Sequence, residues 1–79
     1  EISVFPNPSS GIFRILVATN SYDKAEVQIF NTVGQLVKKL TIDENAESLI
    51  NLQDQPEGLY TIRVIGQEYV ETKKVQLEK

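Results

Sequence analysis

The chain has 79 residues, a formal net charge of −3, and neither cysteine nor histidine. One small domain fits this length, with only about 60% of its unfolded surface buried and no disulfide to supplement the core. The missing residue types exclude Ser-His-Asp and Cys-His nucleophilic machinery and nearly all zinc sites. The acidic balance disfavours nucleic acid and anionic membrane surfaces.

The chain opens on a strand-like segment with no signal peptide, as expected of a piece cut from a larger protein. No apolar run approaches the ~18–20 residues of a membrane-spanning helix. Ile2–Phe5 is β-prone and stops at Pro6. In Pro6-Asn7-Pro8-Ser9-Ser10-Gly11 two prolines bracket one residue and stiffen the backbone, and Ser-Ser-Gly closes a turn. A rigid inter-strand loop is the plainer reading, and a displayed recognition loop the functional one. Pro8 in the middle position stops Asn7 from being a glycosylation acceptor.

Ile12–Ala18 alternates, with Phe13, Ile15 and Val17 inward and Arg14 outward. The polar loop Thr19–Lys24 follows, with Tyr22 expected to lid the core edge. Ala25–Phe30 sets Val27 and Ile29 on one face and Glu26, Gln28 and Phe30 on the other. Asn31-Thr32-Val33-Gly34 fits a hairpin turn with glycine in the left-handed position. Gln35–Leu40 returns, with Leu36 as its most secure inward residue. Lys38-Lys39, one lysine per face, suggests an edge or a strand end. Ile42–Glu47 carries Asp43, Glu44 and Glu47 without a calcium-loop register, so a solvated turn is expected.

Ser48–Leu52 is a fifth strand with Ile50 and Leu52 inward. Pro56-Glu57-Gly58 then turns a corner into the strand expected to be central, where Tyr60, Ile62 and Val64 face inward. A tyrosine at such a corner packs its ring in the core and bonds backbone with its hydroxyl. Ile65-Gly66-Gln67-Glu68 is a tight turn with Gly66 able to take a positive φ, and Tyr69–Leu77 is the last strand, its apolar character interrupted at Thr72-Lys73-Lys74. No window carries helical periodicity. Seven short strands give an all-β fold, a sandwich of two antiparallel sheets.

The chemistry is sparse. Ser9 and Ser10 have no base, the carboxylates sit in loops or on outward faces, and no glycine-rich phosphate loop opens a helix. With Phe13 and Tyr60 needed inside, too few rings remain for a stacking platform. The expectation is no enzyme, no cofactor and no metal.

Four segments resemble one family in order and spacing. Val4-Phe5-Pro6-Asn7-Pro8-Ser9-Ser10-Gly11-Ile12-Phe13 is similar to its opening Pro-Asn-Pro-x-x-Gly-x-Phe motif. Val27–Val37 is similar to its strand–turn–strand with Gly34, and Asn31 stands where aspartate is common. Ile50-Asn51-Leu52 leading to Pro56-Glu57-Gly58-Leu59-Tyr60 is similar to its leucine … Pro-x-Gly-x-Tyr segment. Lys73-Lys74-Val75-Gln76-Leu77-Glu78-Lys79 is similar to its terminal segment. The chain is thereby identified as resembling the type A C-terminal sorting domain of type IX secretion (Por secretion system) cargo in Bacteroidetes.

The resemblance implies a seven-stranded immunoglobulin-like or fibronectin-III-like sandwich over residues 1–79, carried as a single domain at the end of a secreted protein. It implies a sorting signal, read by the type IX outer-membrane translocon after the cargo has crossed the periplasm. A surface sortase would then remove the domain, leaving the cargo anchored to the cell surface or released. The implied recognition residues are Pro6, Asn7, Pro8, Gly11, Gly58, Tyr60, Lys74, Val75, Leu77 and Lys79, although turn geometry alone accounts for Gly11 and Gly58. The implied partners are translocon and sortase proteins and the covalently linked N-terminal cargo, with no nucleic acid and no membrane insertion. A last strand that ends free would offer its edge to an acceptor sheet and let two copies associate weakly. Three rivals remain: an accessory or carbohydrate-binding module, which predicts an exposed aromatic strip; a spacer repeat, which predicts tandem copies; and a small enzyme, which needs a pocket.

Overall fold

The computed structural model describes residues 1–79. Seven strands form: β1 (Ile2–Phe5), β2 (Ile12–Val17), β3 (Lys24–Phe30), β4 (Leu36–Asp43), β5 (Ser48–Asn51), β6 (Gly58–Ile65) and β7 (Val70–Leu77). They make two antiparallel sheets, ordered β1-β2-β5 and β4-β3-β6-β7, that stack as an all-β sandwich with no helix. In the constant immunoglobulin arrangement the fourth strand shares a sheet with the first two. Here β4 pairs with β3 instead.

Alternation explains the core. Phe13, Ile15 and Val17 of β2 meet Val27 and Ile29 of β3, Tyr60, Ile62 and Val64 of β6, and Val75 and Leu77 of β7, all buried. β6 lies inside its sheet between β3 and β7, as the period-2 run after the Pro56–Gly58 corner requires. The β3–β4 hairpin closes on Asn31, whose Oδ1 accepts the backbone N–H groups of Val33 (3.1 Å) and Gln35 (2.9 Å). Gly34 there has φ +84°, the left-handed position expected of it.

Four expectations are corrected. Leu36 is 51% exposed, because a register shift between Ile29 and Phe30 sets it opposite Phe30 on the outer face. β4 instead runs on to Asp43 and buries Ile42. Tyr22 is exposed; Tyr69 packs against the core at that end in its place. Gly66 has no positive φ and is needed for space, since a Cβ there would lie 2.1 Å from the Tyr69 ring. Glu44, expected in a solvated turn, is buried.

The edges match the lysine pattern. β4 is an edge strand, and Lys38 bridges the open side of the sandwich by donating from Nζ to the Asn51 carbonyl of the other sheet (3.2 Å). Two leucines separate core from pattern. Leu77→Ala should lower the unfolding free energy by about 2–5 kcal/mol in urea titration, and Leu36→Ala by under about 1 kcal/mol.

Candidate functional site

The residues marked in the sequence gather at one end of the sandwich. Asn7 reaches β7 with its side chain: Oδ1 accepts the Gln76 N–H and Nδ2 donates to the Lys74 carbonyl, both at 3.0 Å. The side-chain amide thus supplies the acceptor and donor that a neighbouring strand residue would. Ser9 continues the pairing with its backbone. Its N–H donates to the Gln76 carbonyl and its carbonyl accepts the Glu78 N–H, each at 2.8 Å, in a parallel bridge to Leu77. The buried Ser9 hydroxyl accepts the Gly11 N–H (3.1 Å) and donates to the Ile12 carbonyl (3.0 Å). Pro6 and Pro8, on either side of Asn7, are exposed, and both peptide bonds preceding them are cis.

The neighbouring motifs lock onto this clamp. Gly11 accepts the Leu52 N–H at 2.7 Å, and the Gln53 side chain lies against it. Gly58 is opposite Leu77, and Tyr60 opposite Val75. The Tyr60 hydroxyl donates to the Pro56 carbonyl at 2.6 Å, the corner bond expected of it. Burial of that hydroxyl, and then the Asp54 charge, raise its pKa. Lys79 donates from its backbone to Glu57 Oε1 and from Nζ to the Gln53 carbonyl, both at 2.7 Å. Lys74 differs: its side chain is exposed and makes no internal bond or ion pair.

The expectation of a last strand that ends free is therefore corrected. The backbone groups of Lys74, Gln76 and Glu78 that face the outer edge are taken by Asn7 and Ser9. The same alternation leaves Val70 and Thr72 on an open edge. That stretch carries Glu71 and Lys73 on the inward side of the edge strand, a charged arrangement that opposes pairing with another strand.

At the opposite end Glu44 ties three loops together. Its Oε1 accepts the Ser21 hydroxyl, the Asp23 N–H (3.1 Å) and the Thr19 hydroxyl (3.2 Å), and its Oε2 accepts the Tyr69 hydroxyl (2.5 Å). These bonds, led by Ser21 and Tyr69, hold its pKa below the usual value of 4.5. Burial, and then the bond to Glu44, push Tyr69 up to about 12. Such a carboxylate stays ionised and fully engaged, which suits an anchor rather than a proton donor. Two surface hollows exist. One of about 290 Å³ is lined by Lys38, Asn51, Gln53 and Asp54; the other, about 400 Å³, lies beside Glu44 and Tyr69. The first has no hydrophobic lining residue and the second has one.

A family model described as the secretion system C-terminal sorting domain matches residues 3–78. The chain belongs to this family. No curated protein matches it. The sorting domains of type IX secretion are signals that direct export to the cell surface or medium, which implies contact with that machinery and an attached N-terminal cargo. Within this sorting domain, sequence reasoning found Asn7, Tyr60 and Leu77 but missed Ser9, Gln53, Glu57 and Gln76, which complete the clamp. It also missed the Glu44–Tyr69 pair. Polar residues whose partners arrive from distant parts of the chain leave no periodic trace, whether they end up buried, as Ser9 and Glu44 do, or exposed, as Gln53 and Glu57 do.

Two tests follow from these clamps. Asn7→Ala removes two bonds to β7 and should cost about 1–2 kcal/mol, with faster hydrogen exchange at the Gln76 amide; Asn7→Asp keeps the acceptor but sets a carboxylate oxygen against the Lys74 carbonyl, and should cost at least as much. The Glu44–Tyr69 pair makes stability pH-dependent at both extremes. Glu44's contribution is present above pH 4.5 and is lost as pH falls through its lower folded value. Tyr69's is present below pH 10 and is lost as pH rises toward about 12. Urea midpoints should therefore fall on both sides. Glu44→Gln should flatten the acid side, and Tyr69→Phe should flatten part of the alkaline side, with Tyr60 keeping the rest.

Proposed function

We propose that residues 1–79 form the single C-terminal sorting domain of a larger secreted protein. The translocon reads it as a folded signal, and a surface sortase then removes it, leaving the cargo on the surface or in the medium. The domain is the substrate of that sequence of steps and not a catalyst. One observation carries the reading: the family's opening, corner and terminal motifs, separated in the chain, converge on one end of the sandwich.

The placement of Glu1 supports it. The Glu1 backbone nitrogen lies 3.0 Å from the Ala18 carbonyl, at the Glu44 end. A cargo joined there hangs from the opposite end of a molecule 35 Å long. Pro6, Pro8 and Lys74 are the motif residues with exposed side chains free for a partner. Asn7, Gly11, Gly58, Tyr60, Val75, Leu77 and Lys79 act by holding the clamp together.

The test is a fusion of Glu1–Lys79, behind a short linker, to a periplasmically exported fluorescent protein in a type IX-competent host. Fluorescence should reach the surface or medium and be lost in a translocon-deficient strain. Retention in the periplasm of the competent host would overturn the sorting reading and favour a binding module.

A further inference from the structure

The outer face of the four-stranded sheet is charged against the sign of the chain. Alternation places Lys24, Lys39, Arg63 and Lys74 there with only two carboxylates, Glu26 and Asp43. Four cations against two acids leave this face positive on a domain whose net charge is −3. Lys24 is held by Asp43 (2.6 Å), and Lys39 lies 4.0 Å from Glu26. Arg63 and Lys74 are in no ion pair, and neither side chain makes a hydrogen bond.

Those two cations sit diagonally across adjacent strands, since Thr61 is opposite Lys74 and Arg63 opposite Thr72. Such neighbours are about 7–8 Å apart and repel. No internal contact compensates. The row of Lys74 runs through Thr61 to Phe30 and Leu36, and Leu59 follows in the next row; Leu36 is 51% and Leu59 40% exposed. An arginine near exposed apolar side chains on an open sheet face has the composition of a protein-binding patch.

We infer that this face is a docking surface for an acidic protein partner. Arg63 and Lys74, with Lys39 behind them, meet its carboxylates, and Leu36, Phe30 and Leu59 meet its apolar rim. The partner class rests on charge complementarity: a discrete acidic patch matches a local positive face, whereas a uniformly anionic membrane repels the acidic remainder of the domain. The identification of that partner with the export machinery rests on the sorting reading above.

Two experiments separate the surface from the reading. In the first, amide NMR shifts of the 79-residue domain are followed against poly-L-glutamate and, separately, phosphatidylglycerol vesicles. Poly-L-glutamate should saturate, move Gln28, Thr61 and Thr72, and lose its effect in R63E/K74E and at high salt. No shift, shifts centred on the β1-β2-β5 sheet, or binding to the vesicles alone would overturn the docking surface. In the second, the secretion fusion carries R63E/K74E. Export should fall at least about tenfold, while R63K/K74R stays within about twofold. The reversed variant breaks no internal bond and should melt with the parent. Undiminished export of R63E/K74E beside an exported parent would also overturn the inference. A parent fusion that is not exported sinks the sorting reading, and the poly-L-glutamate titration then decides the surface by itself.

Discussion

The structure depends on the first loop being laid along the last strand. A 79-residue sandwich without a disulfide has a thin core, and the edge strand β7 carries two of its buried residues, Val75 and Leu77. The Asn7 side chain and the Ser9 backbone cover that edge where those residues lie. They also join β1 of one sheet to β7 of the other, so the sheets are tied by hydrogen bonds as well as by packing. The Tyr60 corner and the Lys79 contacts surround the same strand. Remove the loop and the core stays apolar, but one side opens.

What was legible in the sequence follows the physics of alternation. β2, β3 and β6 each bury one face, so their period of two is strict and Phe13, Val27, Ile29, Tyr60, Ile62 and Val64 are found inside as read. β4 is an edge strand entered through a register shift, and a shift of one residue reverses every face after it, which moved Leu36 outward. The lysine pair still marked that edge correctly. Glu44 was unreadable for a different reason. Its burial depends on Thr19, Ser21 and Tyr69 arriving from other loops, and no local pattern announces a carboxylate that will be satisfied at long range.

The candidate site was legible as a set of residues. The turn roles of Gly11 and Gly58 and the corner bond of Tyr60 were read from local pattern, whereas a last strand that ends free was expected and is not found. In the fold, Asn7 imitates backbone, Gly11 fits close against Gln53, Gly58 takes φ +154°, and Lys79 is tied by both its amide and its ammonium. A side chain that substitutes for a peptide group looks, in sequence, like a loop residue on display. Motif residues of this kind maintain a shape, and the shape can be recognised only through the few groups that the clamp leaves exposed.

That division bears on how a small domain can serve as a signal at all. A folded signal has to be rigid where it is read, yet its reading surface has to remain unsatisfied internally. The two demands conflict if the same side chains meet both. Here they are separated by the pleat: residues whose side chains or backbone face the clamp hold β7 in place, while the side chains of Arg63 and Lys74, one strand apart on the outer face, make no internal bonds. Lys74 stands at the junction, its carbonyl held by Asn7 and its ammonium free. Fixing the backbone of a flexible lysine reduces the entropy a partner must remove without spending its charge. If the outer face is read as proposed, the clamp would support binding by positioning that charge.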